Sequence, residues 1–560
     1  MTTDPLAAVL PPDSGGDAPL SGSPHPHGHA SLEEIVRPFG TTGQGLTFIG
    51  RHSSARLSFA ELAARAGTAA HRLRDAGMMP GDPVAMVVTN DLESVTAVLG
   101  TWMAGGTVVS LPPAPQRGLE LYASTFGRII ASLGCRFLVG AEPGAESGAA
   151  VPLPPGGVVL DGRALAAPGD ERRPPPDAAI PENALVQFTS GSIGAPKGVV
   201  IGRDALAGHL AVIAAAMGLE PEHDRVVSWL PLYHDMGLVA MFLTGLGSRV
   251  DISLSSPTVF AGRPASWLTT LSEQRATITA APDFAYRLAA SVPYEEGLDL
   301  SRMRVAVAGG ERVLWQTLVE FHETAGPLGF AWEALSPSYG LAEGVVGTTC
   351  IPPGRGPVRG PGGHTSLGPP MAGMRVRIAP DTGDTDGAAS EGAPIHIAGE
   401  SLFSGYQTGT GFTPREGEWH DTGDSGFVHD GDLYVLGRRA EIITTGGRNV
   451  FAEDVEMIAH AAGGDRLRGC AAFRAPGARD RFAMYAEADR ATAGSPDEAL
   501  ALARLIRAEV SRTLRTRLTF VRIVRRGTIP RTTSGKVRRA HCRDLYGSDA
   551  LGRRTVAELA

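Results

Sequence analysis

The sequence predicts an α/β protein: a large N-terminal domain of mixed or parallel sheets covered by helices, with a small β-rich subdomain, followed by a small α+β C-terminal domain. Three observations predict it. Between about residues 58 and 310, short β-rich runs alternate with stretches of helical periodicity, the pattern of strands in a parallel or mixed sheet covered by helices. After about residue 366 the text breaks into short hydrophobic pieces punctuated by turn dipeptides. The last hundred residues return to mixed α/β patterning, and a chain of 560 residues is too long for a single core.

Residues 1–30 are rich in Pro, Gly, Ser and Asp, carry alternating His25, His27 and His29, and read as a disordered leader. A metal site at these histidines would lack the supporting shell that orients ligands. From Ser58, LSFAELAARAGTAAHRLRDAG predicts a helix, VAMVVT a strand and ESVTAVLGTWMAGG a second helix. Further strands are predicted in RFLVG, GVVLDG, ALVQFTS, RVVSWLP, ATITAAP and MRVAVAGG, each ending in Gly, Pro or Ser. MRVRIAP, PIHIAG, FVHDGDLYVLG and EIITTGG predict the β-rich segment. ALALARLIRAEVSRTLRTRL predicts a helix that leads into FVRIVRRGTIPRTTSGKVRRA. A boundary near Gly437 and Arg438 separates an N-terminal domain over 31–437 from a C-terminal domain over 438–560.

Hydrophobic residues at 43% and charged residues at 20% suffice for a core and a soluble surface, and a formal net charge of -8 disfavours nucleic acid or anionic lipid as a general partner. Cys135, Cys350, Cys470 and Cys542 are scattered, form no CxxC pair and fit a reducing cytoplasm. No signal-peptide pattern and no apolar run of membrane-span length is present, so a cytoplasmic location is expected. Positive charge is written almost wholly as arginine: among 51 cationic residues, lysine occurs only at Lys197 and Lys536. A compact ammonium and a forked guanidinium recognise oxygens differently, so the two exceptions invite a site-specific reason.

Four segments can carry chemistry. VQFTSGSIGAPKGVV, Val186 to Val200, sets Thr189, Ser190, Gly191, Ser192, Gly194 and Lys197 between two apolar runs. Backbone N–H groups of such a loop can cradle phosphate oxygens while the lysine supplies charge; a polar turn between strands is the plain alternative. Pro196 and Gly198 exclude a Walker A loop. After the turn-forming Ser336-Pro337-Ser338, Tyr339-Gly340-Leu341-Ala342-Glu343 offers an aromatic for a base and a carboxylate for Mg²⁺, against a core tyrosine and a surface glutamate. In WHDTGDSGFVHDGDLYVLGRR, Asp424 in a tight Thr-Gly-Asp turn could accept from two ribose hydroxyls and Arg438 donate to the same sugar. Finally, Ile529 to Lys536 is a polar loop that delivers the second lysine.

Together and in this order, over about residues 45–545, these segments resemble the ANL superfamily of adenylate-forming enzymes: acyl-CoA synthetases, fatty acyl-AMP ligases, luciferases and peptide-synthetase adenylation domains. PLYHDMGL at Pro231 to Leu238 and APDFAYRL at Ala281 to Leu288 look like the fatty acyl-AMP ligase branch. The resemblance implies ATP and Mg²⁺ as cofactors, a carboxylic acid substrate, and an acyl carrier protein or CoA as acceptor, in fatty acid metabolism or the biosynthesis of a polyketide or lipid. The fold it implies ends in a mobile C-terminal domain that carries the catalytic lysine. By the same resemblance Thr189 to Gly194 and Lys197 hold phosphates, Ser338 to Ala342 line the nucleotide site with Tyr339 against adenine, and Glu343 with Thr189 holds Mg²⁺. Asp424 and Arg438 hold the ribose. Lys536, with Thr189, Lys197 and His234, is catalytic, and it meets the charge that builds at the α-phosphate. His234, Asp235, Phe284 and the Ala308-Gly309-Gly310 segment border the acyl pocket, and Gly309, Gly310 and Lys536 also belong to the nucleotide site.

Two features depart from the family pattern. Ala440 stands where a hinge Lys or Asp is usual, and Glu441 is the next acid. Between Glu343 and Ser366 the chain has only a short Gly/Pro-rich piece, CIPPGRGPVRGPGG, where fatty acyl-AMP ligases carry a longer insertion that restrains rotation. Acyl transfer to free CoA therefore stands as an alternative to transfer to a carrier thiol, and a catalytically inactive nucleotide-binding scaffold is the rival from another class.

Overall fold

The structure, a computed structural model, describes residues 19–26, 28–37, 43–51, 53–114, 119–140, 151–169, 173–189, 196–379, 392–445, 448–475, 482–514, 516, 518–531, 537–546 and 549–560. Two eight-stranded sheets make the body of the N-terminal part. In the first, Val158–Asp161, Phe137–Gly140, Pro83–Val87, Thr107–Leu111 and Asn183–Thr189 run parallel. The antiparallel hairpin to Lys197–Gly202 then extends the sheet through Gly405–Thr408 to Gly411–Pro414. In the second, Leu335–Tyr339, Val305–Ala308, Ile278–Ala281, Arg225–Ser228, Asp251–Ser255 and Gly45–Ile49 run parallel between antiparallel edges. Helices Phe59–Asp75 and Leu92–Met103 pack on the first sheet, and their apolar faces join one large core. Ser58 starts the former helix with a capping box closed by Glu61.

The predicted β-rich segment is an antiparallel five-stranded sheet, in the order Leu20–Ser21, Met374–Ile378, Ala393–Gly399, His420–His429, Asp432–Arg438. A second core runs from Ile443 to Ile523 beneath a four-stranded sheet and helices Ala452–Gly463 and Pro496–Leu514. The four cysteines are buried free thiols. Among the described residues no helix is long and apolar enough to cross a membrane.

The structure corrects three local expectations. The disordered leader does not extend to residue 30: Leu20 and Ser21 pair with Val376 and Arg375, and the His25 side chain is buried with Nε2 3.5 Å from Ser401 Oγ. Backbone pairing and a buried ring hold this segment despite its polar composition. Ser336-Pro337-Ser338 is strand rather than turn; Pro337 loses only a donor, and its carbonyl still accepts from Ile351 N at 3.0 Å. Thr422-Gly423-Asp424 is a kink inside the His420–His429 strand, with Gly423 at φ +76 and a register shift between Pro394 and His396 on the partner strand.

Candidate active site

One cavity of about 760 Å³ opens between the two eight-stranded sheets, the five-stranded sheet and the C-terminal unit. Thr189 and Lys197 face each other in register at the ends of their paired strands, and both line this cavity. Ser190, Gly191, Ser192 and Gly194 lie outside the described residues, as does Lys536. Arg531 and Val537, which bracket Lys536 and pair in an isolated bridge, both line the cavity.

Ser338 and Tyr339 end a strand that leads through Gly340 and Leu341 into the short 3₁₀ turn Ala342–Gly344, and the residues from Ser338 to Glu343 line the cavity. Only glycine fits at Gly340, because a Cβ there would stand 1.7 Å from the Val346 carbonyl oxygen. At Gly309 a Cβ would fill the space 2.6 Å from Ser338 Oγ, so the cradle between these two strands depends on a bare backbone.

Asp424 and Arg438 are cross-strand partners, and Arg438 Nε lies 2.9 Å from Asp424 Oδ1. The buried Tyr339 hydroxyl donates to Asp424 Oδ2 at 2.7 Å. Burial pushes the Asp424 carboxyl above its ordinary value, against the pull of Arg438. The same burial, with Asp424 beside it, pushes the Tyr339 phenol up, so it stays a donor. Tyrosine, carboxylate and guanidinium thus form one preorganised acceptor-donor surface suited to a diol.

Glu343 is held from a direction that sequence reasoning missed. Tyr406 donates its hydroxyl to Glu343 Oε1 at 2.7 Å, while the Lys197 ammonium lies 4.9 Å from the centre of the same ring. Tyr406 sits in the strand that pairs with Lys197–Gly202, and no motif surrounds it; only the sheet order reveals it. His420, against Phe403 and within the field of Glu343, and Gln187, whose Nε2 donates to the Tyr233 carbonyl, also line the cavity unpredicted. Gln187 Oε1 is buried with no partner among the described residues. The polar lining fits a nucleotide: the cations Lys197 and Arg438, the hydroxyls of Thr189, Ser338 and Tyr339, and the carboxylates Glu343 and Asp424 share a single concavity.

The remaining end of the cavity is aromatic and apolar. His234 donates from Nδ1 to Asp235 Oδ1 at 2.8 Å, and Asp235 caps the following π-helical turn through Met236 N at 2.7 Å. Beyond them lie Trp229, Met236, Ala240, Phe284 and Leu314, with Trp229 stacked on Phe260 at 3.9 Å. Gly309 and Gly310 line the passage between this end and the nucleotide wall. Asp283 is buried beside it, bonded by Leu314 N and Thr317 Oγ1, and burial with Glu311 nearby pushes its carboxyl up to about 7.

A family model described as AMP-binding enzyme matches residues 42–407. The chain is 31% identical over 557 residues to a long-chain-fatty-acid–AMP ligase of Mycobacterium marinum, covering 89% of this chain and 93% of that protein. It is 31% identical over 519 residues to a 4-hydroxyphenylalkanoate adenylyltransferase of Mycobacterium tuberculosis, covering 83% and 82%. Among solved structures, one from work on fatty acyl-adenylate ligases of E. coli and L. pneumophila superposes with a TM-score of 0.80 at 27% identity, covering 93% of this chain and 98% of that one.

Proposed function

The chain belongs to the AMP-binding enzyme family, and we propose that it is an ATP-dependent ligase that converts a carboxylic acid to its acyl-adenylate, releases pyrophosphate, and passes the acyl group to the phosphopantetheine thiol of a carrier protein. The observation that carries this reading is that one cavity is lined by Thr189, Lys197, Tyr339, Glu343, Asp424 and Arg438 and also by Arg531 and Val537, the two residues that bracket the second lysine loop. Two of the relatives are named for the adenylate, which supports a carrier thiol as acceptor, while another, of Caulobacter vibrioides, is named a putative acyl-CoA synthetase and keeps free CoA as the second reading.

In this reading Asp424 exchanges the Tyr339 hydroxyl for ribose hydroxyls, and Arg438 keeps the carboxylate ionised and aimed. The Tyr339 ring lies against adenine. The hairpin loop from Thr189 to Lys197 holds the β- and γ-phosphates through backbone N–H groups and one ammonium. Glu343, fixed by Tyr406, and Thr189 would hold Mg²⁺, which neutralises phosphate charge when bound; a magnesium ion bound by one carboxylate plus substrate phosphates needs no larger protein cage. As the acid's carboxylate oxygen bonds to the α-phosphorus and the bond to the β-phosphate oxygen breaks, Lys536 meets the growing negative charge, a contribution of ~10²–10³ in rate. His234, oriented by Asp235, borders the carboxylate end of the acid. The apolar tail enters the space beside Trp229 and Phe284, whose lining suits a fatty or aryl acid. The 438–560 unit then moves, and the thiol attacks the acyl carbonyl as AMP leaves.

The test is a pyrophosphate-release screen over fatty and aryl acids, with intact-mass detection of loaded carrier protein against acyl-CoA. Acid-dependent pyrophosphate release with mass gain on the carrier is expected. Release of no pyrophosphate with any acid would refute the proposal, and acyl-CoA as sole product would replace the acceptor.

A further inference from the structure

The C-terminal unit reaches the cavity through a short series of ion pairs that none of the nucleotide-binding segments contains. Arg312 follows directly on the Gly309-Gly310-Glu311 wall of the cavity. Its Nη1 donates to Asp454 Oδ1 at 2.6 Å, and both side chains are largely withdrawn from solvent, at 11% and 19% exposure. The Arg312 Nη2 donates at 3.2 Å to Nδ1 of His364, which closes the short Gly/Pro-rich piece after residue 351. Burial, then the nearby Arg312 charge, holds the His364 imidazole down at about 4, so it stays a neutral acceptor.

Asp454 lies in the first turn of the Ala452–Gly463 helix, where a carboxylate also meets the helix's positive end. The same helix presents Glu453 and Glu456, which together with Glu441 surround the Arg539 guanidinium at 2.7 to 2.8 Å. Arg539 is three residues beyond Lys536, and Glu441 is the residue after Ala440. The pairs are therefore mechanically continuous. Arg312 grips the helix, the helix glutamates grip Arg539, and Arg539 anchors the end of the loop whose flanks line the cavity. Salt bridges buried from solvent have sharp geometric minima, and breaking one partner costs far more than an exposed pair would.

From this geometry we infer that Arg312 and Asp454 are a clamp that holds the C-terminal unit, and with it Arg531 and Val537 on either side of Lys536, against the cavity for adenylate formation. The inference rests on the two-step reading above. Arg312 is a positioning residue: it acts on the reaction through Asp454 and the helix, and its release frees the unit for thiol transfer.

The test uses the full chain as Arg312→Gln, Asp454→Asn and the double variant, with ATP and a medium-chain saturated fatty acid as probes. Pyrophosphate release reads the first step; loading of a carrier protein from supplied acyl-adenylate reads the second. Each single variant is expected to lose tenfold or more in the first step, roughly what removal of one partner of a desolvated pair produces, while the second holds within about twofold or rises. The double variant is expected to lose no more than the worse single, because the pair shares one interaction. Unchanged pyrophosphate release, equal loss of both steps, or additive losses in the double variant would each overturn the clamp. A wild-type chain that forms no adenylate sinks the functional reading and the clamp with it; a working wild type with unaltered variants sinks the clamp alone.

Discussion

Replacing Tyr406 by phenylalanine removes one oxygen atom and nothing else from the wall of the cavity. The hydroxyl it removes donates to Glu343 at 2.7 Å, whereas the ring beneath the Lys197 ammonium, 4.9 Å away, stays. A hydrogen bond to an ionised group contributes about 1.5–3 kcal/mol. At about 1.4 kcal/mol per tenfold, kcat/KM for ATP in adenylate formation should fall about 10–100-fold if Glu343 must be held in place to act. The Mg²⁺ concentration for half-maximal rate should rise as well, since the loosened carboxylate is the proposed ligand. The assay is pyrophosphate release with saturating acid across a magnesium series. Tyr406→Ala should lose a further ~0.5–1 kcal/mol, because the cation–π contact goes with the ring. Wild-type rate and magnesium dependence in a folded Tyr406→Phe protein would refute the argument that Tyr406 fixes Glu343.

Three other outcomes are expected. Lys536→Ala should abolish adenylate formation and spare thiol transfer from supplied acyl-AMP, measured as carrier loading; equal loss of both steps would count against its assigned role. Gly340→Ala would place a Cβ 1.7 Å from the Val346 carbonyl oxygen, so overpacking of about 1–3 kcal/mol should lower its melting temperature and distort the nucleotide wall, read by calorimetry and ATP binding. Burial holds Asp283 at about 7, above the ordinary aspartate value of about 3.9, so the unfolded chain gives up this proton first and stability is lost as pH rises between those values. Asp283→Asn, which keeps an acceptor for Leu314 N, should remove up to about 4 kcal/mol of that loss, visible in denaturation midpoints of the two proteins from pH 4 to 8.

Much of this architecture was legible as local pattern. The strands over 137–140, 158–161, 225–228, 278–281 and 305–308, and the helix opened by Ser58, follow from the apolar periodicity that each segment carries within itself. Thr189, Lys197, Glu343, Asp424 and Arg438 could be singled out because loops that approach phosphates and sugars need particular residue types at close spacing. The Leu20–Ser21 strand and the buried His25 were not legible, because their polar, Gly- and Pro-rich text resembles a tail until the edge of the five-stranded sheet receives it.

Tyr406 and the Arg312–Asp454 pair carry no local mark at all. They become meaningful only when sheet order sets Gly405–Thr408 beside Lys197–Gly202, and when the Ala452–Gly463 helix brings Asp454 to Arg312. By itself the sequence determined which segments would be strand, helix or phosphate-seeking loop, since those choices depend on residues a few positions apart. Which side chains share one desolvated cavity was decided by the tertiary structure, because a hydrogen bond acts over about 3 Å in space, whatever the separation along the chain.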